Sequence, residues 1–229
     1  MIKHLACIMD GNRRWAKQWG LPPWEGHRQG SKTIEQVVDF CLEKNIPYLS
    51  LYAFSLENLN RTPLELNFLF SLVAQETDSV LDWALKKDVR ITFVGDRDKF
   101  PASVSPHFEL LEKKTSAGSR LHVQILFCYG GRQEICHSVK EIARKVKNGE
   151  LDADAISDAT VAEHLWTCAV PAPDLVIRTG GAQRLSNFLL YQAAYAELYF
   201  SEQFWPAITH EDLNKAVNYF DECKRNFGK

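Results

Sequence analysis

Three short segments crowd charged and hydrogen-bonding side chains beside glycine. The first is Met9-Asp10-Gly11-Asn12-Arg13-Arg14-Trp15, where a carboxylate, an amide and two guanidinium groups share one turn. Glycine lets a backbone approach a ligand closely. N–H groups at the start of a following helix favour an anion, and Arg14 carries a fork suited to phosphate oxygens. Asp10 would repel a bare anion, so its presence points to a magnesium ion between carboxylate and anion. The plainer alternative is that Asp10 caps the helix and both arginines are solvated. The second segment is Phe54-Ser55-Leu56-Glu57-Asn58-Leu59-Asn60-Arg61, which also reads as a polar loop with a helix cap. The third is Ile177-Arg178-Thr179-Gly180-Gly181-Ala182-Gln183-Arg184-Leu185-Ser186-Asn187. Two arginines, a diglycine and a Ser186 cap before a helix would make an anion cradle. Arg178 directly follows an apolar run, so a partner is expected for its charge. Gly26-His27 is placed on a turn beside the Asp10 segment; a lone histidine is more often structural, but this one is a candidate. Tyr129-Gly130-Gly131-Arg132 serves packing or the ligand. Neither GxxxxGK[ST] nor GxGxxG occurs, which disfavours the nucleotide folds built on those loops.

These segments stand at the ends of apolar runs: Leu5–Met9, Tyr48–Phe54, Val89–Val94, Leu121–Phe127, Leu175–Ile177 and Leu198–Phe200. Helical periods lie between them. Ile34, Val37, Val38, Cys41 and Leu42 follow a Ser31 cap. Thr62-Pro63-Leu64-Glu65 reads as a capping box opening a helix to about Lys86. Ile135, Val139, Ile142 and Val146 mark another, and Thr209 opens the last. Strands alternating with helices predict one α/β domain over residues 1–229, with a mostly parallel six-stranded sheet. Such sheets bind ligands at the carboxyl ends of their strands. The composition, 45% apolar and 24% charged, is that of a globular chain. A net charge of −2 argues against a nucleic-acid binder. The six cysteines form no CxxC pair, so buried reduced thiols are expected rather than a zinc site. There is no signal-peptide pattern, and no apolar run approaches the roughly 20 residues that span a bilayer. A cytoplasmic protein is expected, with any membrane contact peripheral.

Ile8 through Ala16, Gly26-His27, Tyr52 through Asn58 with Arg61, Tyr129 through Arg132, and Asp174 through Glu197 resemble the cis-prenyltransferase family, and within it the bacterial undecaprenyl diphosphate synthases. The resemblance covers nearly the whole chain. It implies condensation of isopentenyl diphosphate onto farnesyl diphosphate to give undecaprenyl diphosphate, a lipid carrier for cell-wall synthesis; a short- or medium-chain synthase is the alternative. It implies that Asp10 holds magnesium and the allylic diphosphate, with Gly11, Asn12, Arg13, Arg14 and Trp15 around it. His27, Asn12 and Ser55 would lie near the reacting groups. Arg178, Arg184 and Ser186 would bind the isopentenyl diphosphate, and Glu197 would help place magnesium. Glu57, Asn58 and Arg61 would order a covering loop. The family is normally homodimeric, paired near the Arg184 segment and the C-terminus. An apolar tunnel between sheet and helices, lined by Leu64, Phe68, Leu69, Leu72, Val73, Val123 and Ile125, would take the growing chain; ordinary core is the other account of them. Five positions depart from the family pattern: Pro23 for Arg, Leu59 for Trp, Cys128 for Asn, Ala182 for Glu and Tyr191 for Trp. A haloacid-dehalogenase-type phosphohydrolase is disfavoured, because that chemistry needs a second Asp two residues from the first, and Ile8 and Asn12 stand there. A non-catalytic partner subunit typically loses the Asp turn, which is intact here.

Overall fold

The apolar runs become the strands of a single sheet in a computed structural model that describes residues 1–223. They are β1 (His4–Ile8), β2 (Tyr48–Ser55), β3 (Val89–Val94), β4 (Leu121–Tyr129), β5 (Leu175–Arg178) and β6 (Glu197–Phe200). The order across the sheet is β3-β4-β2-β1-β5-β6, and every pairing is parallel. Parallel strands need crossovers. Those crossovers carry α1 (Asn12–Gln18), α2 (Pro23–Glu43), α3 (Pro63–Lys86), α4 (Ser105–Thr115), α5 (Gly131–Lys147) and α6 (Asp158–Glu163), and α7 (His210–Glu222) follows β6. Helices on both faces explain why all of β1 and β5 is buried and reads as apolar without alternation.

Caps explain the helix starts. Thr62 Oγ1 accepts the Glu65 N–H, and Pro63 takes the first helical position of α3. Thr209 and Asp212 form a reciprocal box that opens α7. Two expectations need correction. α2 starts at Pro23, not after Ser31; a proline at the first position is a start signal that overrides the helix-weakening Gly26 and Gly30. Gly26 and His27 therefore lie inside a helix rather than on a turn. No helix starts directly at Ser186: Ser186, Asn187 and Leu189 take left-handed φ of 50°, 67° and 43°, and the next helical element is a 3-10 turn, Gln192–Tyr195.

The main core packs α2 on the sheet through Val37, Val38, Phe40 and Cys41, all buried. Burying each large apolar side chain there contributes about 1.5–3 kcal/mol. Phe54, Phe93, Phe100, Phe108 and Phe127 pack ring on ring beneath α3 and α4, with centroids 3.7–5.7 Å apart. The cysteines are less uniformly buried than expected: Cys7, Cys41 and Cys128 are buried, whereas Cys136 and Cys168 are exposed.

His4 is buried, with Nδ1 on the Pro171 carbonyl at 2.6 Å and Nε2 on Ser50 Oγ at 2.9 Å. Burial lowers its pKa from 6.5 to about 4. His27 is lowered to about 4 by burial, then by the charges of Arg61 and Arg13. A depressed histidine leaves the unfolded chain binding more protons below pH 6.5, so stability falls as pH drops. Urea unfolding is expected to show a level stability above pH 6.5 and a loss on the order of 3 kcal/mol per buried histidine between pH 6.5 and 4. A flat profile across that window would contradict this environment for His4 and His27.

Candidate active site

β1 and β5 are neighbours whose onward connections run in opposite directions, β1 towards β2 and β5 towards β6. Parallel α/β sheets open a crevice at such a point. Asp10 follows β1 and Arg178 ends β5, and the crevice brings them together: Arg178 Nη2 donates to Asp10 Oδ2 at 2.8 Å. Arg14 Nη2, one helical turn on, donates to Asp10 Oδ1 at 3.1 Å. Burial pushes the Asp10 carboxyl up, but the Arg178 hydrogen bond and the charges of Arg14 and Arg178 outweigh it and hold it below the ordinary 3.8. Asp10 is therefore an ionised carboxylate, and it is not the helix cap. That position belongs to Gly11, at φ 104° without a side-chain cap bond; a Cβ there would stand 2.5 Å from Phe204.

Backbone ties hold the pair in place. Thr179 Oγ1 donates to the Asp10 carbonyl at 2.7 Å and accepts the Asp10 N–H at 3.0 Å. The Trp205 N–H reaches the same carbonyl at 3.0 Å. Arg14 Nη1 donates to the Gly180 carbonyl at 2.8 Å. Gly180 has φ 83°, and a Cβ there would meet that guanidinium at 2.6 Å. Thr179 was not legible as a site residue, because a β-branched residue at a strand end looks like strand.

Arg178 also builds the third segment into a pocket wall. Its Nη1 donates to the Arg184 carbonyl and, at 2.7 Å, to Ser186 Oγ. Arg184 Nε donates to the same hydroxyl at 3.1 Å. The expected diglycine cradle does not form, since the Gly180 and Gly181 N–H groups are bonded to the Gln203 and Ser201 carbonyls. The second segment joins here: Asn187 Nδ2 donates to Glu57 Oε1 at 3.0 Å. Ser55 and Asn58 form a reciprocal cap on the turn Leu56–Asn60.

Across the crevice, Arg61 Nη1 donates to Glu65 Oε1 at 3.0 Å. The same oxygen lies 3.9 Å from His27 Nε2 and 4.0 Å from Arg13 Nε. Glu65 is thus a site residue that sequence reasoning placed only in a helix cap. Asp10, Asn12, Arg13, Arg14, His27 and Arg61 line a cavity of about 620 Å³ with Lys17, Leu21 and Pro23. Six buried side-chain polar atoms among the described residues lack a hydrogen-bond partner, and three belong to this site: Asn12 Oδ1, His27 Nε2 and Arg178 Nε. Buried polar groups are normally paired, so these mark capacity for a polar ligand.

Two expected residues stand elsewhere. Glu197 opens β6 opposite Leu175, which pairs with Leu5. That register sets it about five residues, or roughly 16 Å, below Asp10 along the strands. Within one chain it is not a ligand beside Asp10. Leu64 is 72% exposed on α3 and lines no tunnel. Leu72 and Val123 are buried core. Leu69, Val73 and Ile125 pack against the core yet remain partly exposed, as do Leu66 and Phe70; Phe68 is also partly exposed and stacks near Trp24 at 5.9 Å. Ala53 is the only exposed residue on β1, β2, β4 and β5, beside a register shift in β2. These partly exposed apolar side chains lie on α3, β2 and β4.

The departures have structural correlates. Pro23 lines the cavity without a charge. Cys128 sits at φ 46°, a left-handed conformation that asparagine tolerates better than most residues. The Tyr191 hydroxyl donates to the Asp158 carbonyl at 3.0 Å. Leu59 packs against the core. Nothing in the structure explains Ala182.

Among the described residues no cluster of three or more His, Cys, Asp or Glu can cage a metal ion. The donor set is one ionised carboxylate facing an open, cation-lined cavity. That fits magnesium, which keeps several waters and binds through one or two carboxylates plus substrate phosphates.

A parallel sheet with an Asp–Arg pair at its switch point and five cations around it defines an anion-binding α/β protein. Residues 8–228 match the family model described as "Putative undecaprenyl diphosphate synthase". The chain is 41% identical over 228 residues to an isoprenyl transferase of Clostridium perfringens, covering 100% of this chain and 90% of that one. It is 39% identical over 230 residues to dehydrodolichyl diphosphate synthase 2 of Arabidopsis thaliana, covering 100% and 74%. The crystal structure of lavandulyl diphosphate synthase from Lavandula x intermedia, in complex with dimethylallyl diphosphate, superposes with a TM-score of 0.96 at 32% identity, covering 100% and 98%. The chain belongs to the undecaprenyl diphosphate synthase family of cis-prenyltransferases. No helix among the described residues is long and apolar enough to cross a membrane.

Proposed function

We propose that this protein elongates farnesyl diphosphate with isopentenyl diphosphate in cis, giving undecaprenyl diphosphate. The observation that carries this is the Asp10–Arg178 pair, which joins two arginine-bearing segments at the switch point of the sheet. Asp10, Gly11, Asn12, Arg13, Arg14 and Trp15 form the wall for the allylic diphosphate. Arg178, Arg184 and Ser186 form the wall for isopentenyl diphosphate. When bound, magnesium supplies charge neutralisation for the departing diphosphate. Arg13 and Arg14 stabilise the negative charge that develops as the allylic C–O bond breaks. His27, neutral above pH 6.5, adds no like charge to the allyl cation, and its free Nε2 can accept a hydrogen bond. Glu65 holds Arg61 over the cavity, with Glu57 and Asn58 ordering the turn before it. The working unit is a homodimer in the cytoplasm; residues 224–229, part of the C-terminus assigned to its pairing, lie outside the described residues.

A second account has its own support. The phenylalanine block of Phe54, Phe100, Phe108 and Phe127 fills space beneath α3, and a growing chain stopped against it would give a short or medium product. Chromatography of extracted products against polyprenol standards decides between the two, a product of about C55 favouring the first. Ala53→Leu is expected to shorten the product by at least one isoprene unit, since it fills the one open position of the inner strands. An unchanged product distribution would remove Ala53 from the path of the chain.

A further inference from the structure

The segment between β6 and α7 touches both sides of the Asp10 crevice, yet the proposed reaction assigns nothing to its side chains. Ser201 through Trp205 crosses the ends of β1 and β5 as a strap held by four main-chain hydrogen bonds. The Ser201 N–H donates to the Arg178 carbonyl at 2.8 Å, and the Ser201 and Gln203 carbonyls accept the N–H groups of Gly181 at 2.9 Å and Gly180 at 2.7 Å. At the far end the Trp205 N–H meets the Asp10 carbonyl at 3.0 Å. The Trp205 indole N–H donates to the Gly30 carbonyl of α2 at 2.8 Å, and that ring is buried. The strap is thus anchored in the core and stitched to the site.

Between these anchors stands Phe204, partly buried. Its ring lies by the Arg14 guanidinium, with Cζ 5.1 Å from the ring centroid, and it also closes on Gly11. The Arg14 side chain is 51% exposed, and an arginine so exposed ordinarily loses much rotamer freedom when a ligand orders it. Here Nη1 is fixed on the Gly180 carbonyl and Nη2 on Asp10 Oδ1. The phenyl ring adds a third support of a different kind. A guanidinium has five N–H donors; the two hydrogen bonds engage two of them, and a cation–π contact engages none. A carboxylate in place of the ring would have taken further donors and offset the charge. We propose that Phe204 is a positioning residue, which keeps Arg14 aimed at the allylic diphosphate while leaving its other donors and its charge to the ligand. The inference rests on the elongation reading above, in which Arg14 binds that diphosphate.

Calorimetric titration of the full chain with inorganic diphosphate and magnesium tests it without turnover. Phe204→Leu keeps apolar bulk against Gly11 but removes the π face, and is expected to weaken binding roughly three- to five-fold. Phe204→Tyr keeps the face and is expected to stay within about two-fold of wild type. Arg14→Ala is expected to weaken binding more, and adding Phe204→Leu to it to change little further, because the ring then has no cation to hold. Equal binding by wild type and Phe204→Leu would overturn the proposal. So would a loss of the same size in the Arg14→Ala background, which would assign the ring to packing on Gly11 alone. Should Phe204→Leu fail to fold, pentafluorophenylalanine at position 204 takes its place with a loss in the same direction expected, since it keeps the ring and reverses the potential of its face. A wild type that binds no diphosphate would remove the elongation reading and this inference together, whereas additive losses remove the inference alone.

Discussion

Replacing Asp10 with alanine is expected to lower turnover by about 10³-fold or more while the protein stays folded. The carboxylate stands between two guanidinium groups at 2.8 and 3.1 Å and, among the described residues, is the one acidic side chain lining the cavity. Its removal leaves four arginines without the group that would hold magnesium, and a diphosphate would bind in unproductive positions. Arg178, only 4% exposed, loses one partner but keeps the Arg184 carbonyl and Ser186 Oγ. The stability cost is therefore about 1–3 kcal/mol, within the 5–15 kcal/mol typical of a domain. Asp10→Asn separates charge from shape, since the amide retains an acceptor for Arg178. It is expected to be nearly as inactive as the alanine variant. Steady-state kinetics with thermal melts checks both, and near-normal turnover in either would refute the role given to Asp10.

Arg178→Lys carries the second largest effect. Arg178 serves the Arg184 carbonyl, Ser186 Oγ and Asp10 Oδ2 from one planar group. A lysine ammonium is a point charge and cannot span those directions. The turn containing Ser186 and Asn187 is held in left-handed conformations and depends on that fork. The KM for isopentenyl diphosphate is expected to rise about 100-fold and the KM for farnesyl diphosphate much less. An equal rise in both would mean that Arg178 acts only by supporting Asp10.

Much of this was legible in the sequence because polar residues interrupt apolar runs sharply. Asp10, Ser55 and Arg178 stand directly at or beyond strand ends, and parallel α/β topology does the rest. What was hidden depends on geometry that spacing does not carry. His27 was misplaced because Gly26 outweighed the Pro22-Pro23 start signal. The diglycine looked free because the strand neighbour that consumes its N–H groups is distant in sequence. The magnesium role of Glu197 rests on the family resemblance alone; strand register, which places it near the level of Leu5 in its own chain, leaves no trace in residue types. Glu65 was absorbed into the α3 cap, although its backbone N–H serves the cap while its carboxylate serves Arg61.

The central claim is that this single chain type performs cis-prenyl elongation at the Asp10 crevice. Incubating the purified protein with farnesyl diphosphate, radiolabelled isopentenyl diphosphate and magnesium tests it directly. Incorporation of label into butanol-extractable product, abolished by chelation and by Asp10→Ala, is the expected result; no incorporation under those conditions, or incorporation that survives both, would contradict it.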